Sequence, residues 1–309
     1  MSPAEPTPLG LVLVGGGGCG RVEAGAFEAL EASGLLHDLK VLVGTSVGGL
    51  NACAYAAGRA QGKGVEVLKN AWASISKNTD IYSPDLLADL GHPWLHPIDT
   101  AQEIHGFVWG AGALNTDALA SVVKEALGVW TTDQILASTG ITLRVRAMHY
   151  ERNRAETLDG DLAAMALATS AIEGIFPARF GYGDGGAVDN EPIDTALGLG
   201  AGRILVVFCG PEDPTSNEDP KATVRLSDPP PAPRTGLANA LATLQGITQR
   251  GEALADEAAS RAEAQGVEVI YCYPKVDTGN ALDFSPRGLY EIGQKAAEDA
   301  IAQAKALGW

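Results

Sequence analysis

The chain has few cysteines, few cations and no long greasy stretch, and each shortage removes a class of function. Four cysteines in 309 residues (Cys19, Cys53, Cys209, Cys272) stand far apart, mostly inside apolar runs. That spacing makes neither a disulfide framework nor a paired metal site; it is expected of buried thiols in a reducing compartment. Lys and Arg number 22 against 38 Asp and Glu, a formal charge of −16, so nucleic acid is excluded as an electrostatically steered partner. The same balance disfavours purely electrostatic docking on an anionic membrane, and leaves transient surface contact to local apolar or basic patches. No apolar run reaches the roughly 20 residues that span a bilayer. The opening "MSPAEPTPLG" has neither the basic segment nor the apolar core of a signal peptide. These shortages predict a soluble, cytoplasmic protein, at most peripheral to a membrane. Histidine is scarce as well: five, at positions 37, 92, 96, 105 and 149. No metal-ligand cluster is visible, and neither metal nor cofactor is expected.

What is present is a regular alternation of short apolar runs and helical patterns. "LGLVLV" (9–14) is continuous and apolar, as a parallel strand covered on both faces should be. Residues 21–34 follow with Val22, Ala26, Phe27 and Leu30 at helical spacing and Gly34 as a stop. "LKVLV" (39–43) is a second buried strand, and 46–58 reads as a helix of small residues ending at Gly58. This opening predicts an α/β fold: a mostly parallel central sheet with helices on both faces, as one domain over 1–309. Residues 72–115 carry Trp72, Trp94, Trp109, His92, His96, His105 and three prolines. They predict an irregular helical lid, whose aromatics either touch lipid or fill a satellite core. Beyond it come a capped helix (115–128), an alternating strand near a sheet edge (141–150) and an alanine-rich helix (161–172). Strands follow at 203–210 and 267–273. Between them, 211–233 hold seven of the 17 prolines and predict an exposed loop, and a long helix spans about 236–264. A last helix is expected to start at Ser285-Pro286, packing through Leu289, Ile292, Ala296 and Ala300.

Gly44-Thr45-Ser46-Val47-Gly48 matches the G-x-S-x-G elbow, in which a strained turn between strand and helix lifts a serine hydroxyl clear of the sheet. Gly44 and Gly48 allow close backbone packing, and the helix start favours a developing oxyanion. A serine that merely caps the helix is the plainer alternative. "VGGGGCGRVEAG" (14–25) is a run of unobstructed amides at a helix start, fit to cradle an anion. Gly15-x-Gly17-x-x-Gly20 also matches the dinucleotide fingerprint, so a nucleotide-binding α/β protein is a rival. That rival needs an acid at the far end of the second strand, whereas Asp38 precedes the strand. The glycines therefore fit an oxyanion hole better. Because no histidine follows 149, a triad in the order Ser, Asp, His is excluded. "GYGDGGAVDNEP" (181–192) offers another base, Asp184, with Gly185 and Gly186 behind it in a turn that lets a carboxylate approach a second loop.

Together, "GGGGCGRVEAGAFEAL" (15–30), "GTSVGG" (44–49) and "DGGAVDNEP" (184–192), preceded by "ATSAIEGIFPARF" (168–180), resemble the patatin-like phospholipase family in order and spacing. The resemblance implies a three-layer α/β/α fold and a lipid acyl hydrolase acting on lipid or acyl-ester substrates. It implies Ser46 as nucleophile, Asp184 as base, backbone N–H groups of Gly16, Gly17 and Gly18 as the oxyanion hole, and Asn190 in the aspartate loop. A non-catalytic lipid-binding protein on the same fold is a third reading. Two positions depart from the family pattern. Cys19 stands where the glycine motif usually has Arg or Lys, and Glu173 where proline is common. Both changes are expected to leave the Ser–Asp pair untouched.

Overall fold

The computed structural model describes residues 7–82, 114–173, 175–211 and 257–309. Seven strands form one mixed sheet: β1 (Leu9–Leu13), β2 (Leu39–Thr45), β3 (Thr142–His149), β4 (Arg154–Leu158), β5 (Tyr182–Asp184), β6 (Arg203–Val207) and β7 (Glu268–Cys272). The order is β4-β3-β2-β1-β6-β7, with β5 joined to β3. From β3 to β7 every neighbour is parallel; β4 and β5 lie antiparallel on β3. The helices are α1 (Arg21–Ala32), α2 (Val47–Ala60), α3 (Glu66–Ala73), α4 (Asp117–Leu127), α5 (Thr132–Thr139), α6 (Leu162–Thr169), α7 (Ile193–Gly198) and α8 (Leu289–Ala306).

Both faces of the sheet are covered, for the reason the continuous apolar strands suggest. Leu9, Leu11 and Leu13 of β1 pack with Phe27, Leu30, Tyr55 and Ala297 on one side. Val12 of β1, with Val43, Ile204 and Val206, packs on the other against Ile193 and Ala196 of α7 and Ala258 and Ala259 of a helical stretch at 257–264. In β3 the alternation is literal: Leu143, Val145 and Ala147 are buried, while Arg144 and Arg146 occupy the wetter face. This strand lies one place in from the edge, which β4 forms.

Helix α1 crosses α8 through glycines. A Cβ on Gly25 would lie 1.9 Å from the Tyr290 carbonyl oxygen, and one on Gly293 would lie 1.8 Å from that of Val22. Gly293 therefore takes the centre of the α8 inner face, with Leu289, Ala296 and Ala300 buried around it, while Ile292 is only half-buried. Gly293→Val is expected to cost about 3 kcal/mol or more, because backbone on the facing helix must retreat. Gly198→Ala, where nothing lies within 4 Å, should be neutral or mildly stabilising. Urea unfolding midpoints of the two variants check the contrast.

Two element ends differ from expectation. Gly58 does not stop α2, which runs on to Ala60; its bare Cα instead admits the Gly64 carbonyl, 2.0 Å from where a Cβ would be. Nor does α8 start at Ser285-Pro286. Arg287 (φ 42) and Gly288 (φ 68) both turn left-handed, so the proline-led turn cannot continue and the helix begins at Leu289. Trp72, taken as the start of the lid, belongs to α3 and the main core. The rest of that region at 83–113, with Trp94, Trp109 and the three histidines, lies outside the described residues. So do 212–256, which hold nearly all of the proline-rich stretch and most of the span expected to form a long helix. All four cysteines are free and buried.

Candidate functional site

The strand register brings Ser46 and Asp184 together. Parallel to β3, β2 ends with Thr45 opposite Arg146. Antiparallel β5 takes up the next place on β3, with Asp184 opposite Ala147. The chain after Thr45 and the side chain of Asp184 thus meet at the point where one strand stops and the other arrives. Ser46 Oγ donates to Asp184 Oδ2 at 2.6 Å, across 138 residues of sequence.

Ser46 holds φ 55 and ψ −129 immediately before α2. A non-glycine residue in that conformation costs roughly 1–3 kcal/mol, and its neighbours hold it there. A Cβ on Gly44 would stand 2.4 Å from the Gly48 carbonyl oxygen, and one on Gly48 2.5 Å from that of Leu13. Only glycines permit so tight a strand-to-helix turn. The Ser46 N–H donates to Thr169 Oγ1 at 2.8 Å, and that hydroxyl donates to the Arg146 carbonyl at 2.5 Å. The serine side chain makes no cap hydrogen bond to α2, which disposes of the plain capping role.

Asp184 is only 4% exposed. Burial pushes its carboxyl up to about 6, against the pull of hydrogen bonds from the Ser46 hydroxyl and the Gly186 amide. Gly186 N donates to Oδ1 at 2.7 Å, which fixes the carboxylate so that Oδ2 faces the serine. Gly185 passes close over β3, where a Cβ would sit 2.3 Å from the Arg146 carbonyl oxygen. Asp189, further round the same loop, is tied to Arg146 Nε at 2.6 Å and accepts from Thr45 Oγ1 through its carbonyl. Asn190 closes the circuit: its Oδ1 accepts the Gly15 N–H at 3.1 Å and so joins the aspartate loop to the glycine loop.

The glycine loop lies against the serine, since a Cβ on Gly15 would be 2.9 Å from Ser46 Cβ. Among the described residues neither Gly16 nor Gly17 gives its N–H to another protein atom. Gly18 departs from expectation. Its N–H goes to the Ala281 carbonyl at 2.6 Å, because the 281–283 segment is packed directly on it. Cys19 is buried, its thiol pushed up by desolvation and turned to the Thr278 carbonyl. Arg21 spends its guanidinium on the Ile75 carbonyl at 2.6 Å and the Trp72 ring at 5.1 Å, so it does not replace the missing cation.

Several participants escaped the sequence reading. Thr169 sits in the segment that leads to the aspartate loop, but nothing in its pattern says that its hydroxyl receives the Ser46 amide. Beneath the glycine loop, Glu23 accepts from Asn51 Nδ2 at 2.7 Å, and Asn51 Oδ1 accepts from Trp72 Nε1 at 2.8 Å. This fully buried chain fixes α1 to α2, and burial raises the Glu23 carboxyl to about 8. Glu173 is the larger surprise. Burial, and after it the charge of Asp184, raises its carboxyl to about 8. An apolar cavity of about 60 Å³ opens beside Val47 between α2, α3 and α4, lined by Leu50, Ala54, Leu68, Val123 and Phe284.

Fold and site define a three-layer α/β protein that presents a serine on a tight strand-to-helix turn, hydrogen-bonded to a buried aspartate. The sequence matches the family model for patatin-like phospholipases over residues 11–197, more than half its length, and the chain belongs to that family. At that level it is a lipid hydrolase. Solved structures to which it is similar include VipD from Legionella pneumophila, at 15% identity and TM-score 0.46, covering 96% of this chain and 67% of that one. Full-length ExoU in complex with full-length SpcU, from Pseudomonas aeruginosa, is 16% identical at TM-score 0.39, covering 97% and 53%. This chain thus spans about two thirds of the first and about half of the second. No curated protein is significantly similar.

Proposed function

We propose that the protein is a serine lipid acyl hydrolase, of phospholipase A or esterase type, with Ser46 as nucleophile and Asp184 as general base. The observation that carries this reading is the 2.6 Å hydrogen bond from Ser46 Oγ to Asp184 Oδ2, made from a turn strained to φ 55. A carboxylate whose proton affinity is raised toward neutrality is a better base than an ordinary aspartate and remains ionised at pH 7.

Attack begins as Ser46 Oγ adds to the ester carbonyl carbon while its proton passes to Asp184 Oδ2. The negative charge that develops on the carbonyl oxygen is met by the amides of Gly16 and Gly17, each contributing roughly 3 kcal/mol in a dry site. Gly18 is left out of the hole, since its amide is engaged by Ala281. Collapse expels the alkoxide, which takes the proton from Asp184, and leaves the acyl group on Ser46. Water then gives a proton to Asp184 as it attacks the acyl carbon; Ser46 Oγ departs and recovers that proton. The products are a carboxylic acid and an alcohol.

The cavity beside Val47 supports an apolar acyl group, because it begins at the residue after the nucleophile and its lining is nearly all hydrocarbon. The nucleotide-binding rival loses ground, since Asp38 is occupied by Arg203 at 3.0 Å and the Gly15 amide by Asn190. Among the described residues no helix is long and apolar enough to cross a membrane, so contact with lipid is proposed at a surface. A fluorophosphonate probe is expected to label Ser46, read by mass spectrometry of the modified peptide. A label on another serine, or none together with no hydrolysis across a panel of p-nitrophenyl esters and phospholipid vesicles, would overturn the reading.

A further inference from the structure

Glu173 is an acid near the pair for which the mechanism above has no use, and unlike Asp189 it has no cationic partner among the described residues. Its two carboxyl oxygens are buried and neither has a hydrogen-bond partner. It occupies the turn after α6, against β5: the Asp184 N–H donates to the Ala171 carbonyl two residues earlier, at 2.9 Å. Glu173 Oε1 and the Tyr150 hydroxyl together fill the space where Gly183 would carry a side chain, 2.5 and 2.3 Å from that point. Among the described residues, the groups near Glu173 are the Tyr150 phenol, which follows β3, and the Asp184 carboxyl on β5, with the backbone amides of Glu173 and Asp184 beside them. Among the described residues no cation offsets either carboxylate.

Two buried carboxylates close enough for one charge to act on the other, with no counter-charge among the described residues, cannot both ionise cheaply. The hydrogen bonds decide which one does so first. Asp184 receives two, from the Ser46 hydroxyl and the Gly186 amide, whereas the amides of Glu173 and Asp184 approach Glu173 without reaching hydrogen-bond geometry. We propose that Glu173 is a positioning residue that must stay protonated for Asp184 to act, so that the two acids carry one negative charge between them and ionisation of Glu173 shuts the site down. With Glu173 neutral, the single charge sits on Asp184, where it accepts the Ser46 proton. Once Glu173 loses its proton to solvent, a second buried charge opposes the oxyanion forming at Gly16 and Gly17. The proton affinities agree with this order. Burial and the Asp184 charge hold Glu173 up to about 8, while Asp184 is near 6. Tyr150, raised to about 12 by burial and by both acids, stays neutral throughout.

This inference rests on the proposed Ser–Asp chemistry, and its test has one arm in activity and one in stability. Wild-type kcat/KM for a p-nitrophenyl acyl ester is expected to rise through about pH 6 and fall by about tenfold beyond about pH 8. Glu173→Gln, a neutral isostere of the protonated acid, should keep the acid limb and lose the alkaline one; Glu173→Asp should retain both. The stability arm needs no turnover. A folded-state value of about 8 against an ordinary 4.5 means that the stability Glu173 provides is present at low pH and lost as pH rises through 8. The Tm of Glu173→Gln should therefore climb above that of wild type by several degrees between about pH 4.5 and 9. If the stability arm succeeds and Ser46 is neither labelled nor needed for hydrolysis, the proposed function fails and the charge sharing stands. If Ser46-dependent hydrolysis is found and Glu173→Gln keeps the alkaline limb, the positioning role of Glu173 is overturned. An unchanged Tm difference across the pH range removes the charge sharing itself.

Discussion

Ser46→Ala is expected to lower kcat/KM for a p-nitrophenyl acyl ester by about 10⁴-fold or more, with KM little changed. Among the described residues the Ser46 hydroxyl is the group hydrogen-bonded to Asp184 that would form the proposed acyl intermediate, and water delivered to the same spot lacks that preset alignment. Because alanine tolerates a left-handed φ no better than serine, the strain of the turn remains in this variant. Ser46→Gly separates the two properties. It should be as inactive as Ser46→Ala, yet it relieves a φ of 55 at a buried turn. A gain of about 1 kcal/mol, or roughly 2–4 °C in Tm, is expected over Ser46→Ala. Steady-state kinetics and calorimetry on the three proteins read both effects. Substantial turnover by Ser46→Ala would end the case for this serine, and equal Tm values for the alanine and glycine variants would deny that the turn is strained.

Asp184→Asn is the second large effect, and here activity and stability should move in opposite directions. Hydrolysis is expected to fall by about 10³–10⁴-fold, since an amide cannot take the serine proton. Stability follows from the sign of the shift. The Asp184 carboxyl lies at about 6 in the folded protein against an ordinary 3.8, so burying its charge costs stability as pH rises from about 4 to 6, and fully above that. Asparagine removes that cost; with its oxygen toward the Gly186 N–H its NH₂ can donate to Ser46 Oγ, but the serine proton then loses its acceptor, which returns part of the gain. The expected result is a Tm at or above wild type at pH 7.5 that falls to or below it at pH 4. Near-normal hydrolysis by Asp184→Asn would move the base elsewhere. Asp189 is poorly suited to inherit the role, being held by Arg146 at 2.6 Å.

Much of this site was legible in one dimension because its parts are short motifs with strict backbone demands. Gly44, Ser46 and Gly48 announce a turn that few other residues can make, and Asp184 with two following glycines announces a loop that approaches another closely. The alternation of apolar runs and helical periods sufficed for a mostly parallel sheet covered on both sides. What stayed hidden depends on partners distant in sequence. Gly18 reads like its neighbours until Ala281 arrives to claim its amide. Pro286 reads as a helix start until Arg287 and Gly288 are seen to turn left. Glu173 reads as an exchange for proline in a turn, and only the fold puts its carboxyl beside Asp184. Thr169 gives no sequence signal for the hydrogen bond it accepts from Ser46.

The end-to-end meeting of β2 and β5 along β3 makes the gap between serine and aspartate a matter of ladder rungs. Both are set by the same strand: Thr45, the residue before the serine, pairs with Arg146, and Asp184 pairs with Ala147. Sliding either strand by a single residue moves it roughly 3.3 Å and turns its side chains to the opposite side. Gradual loosening therefore has no small step available to it. Heating should inactivate the enzyme abruptly, when the rungs of β3 let go, rather than by slow decline below that temperature.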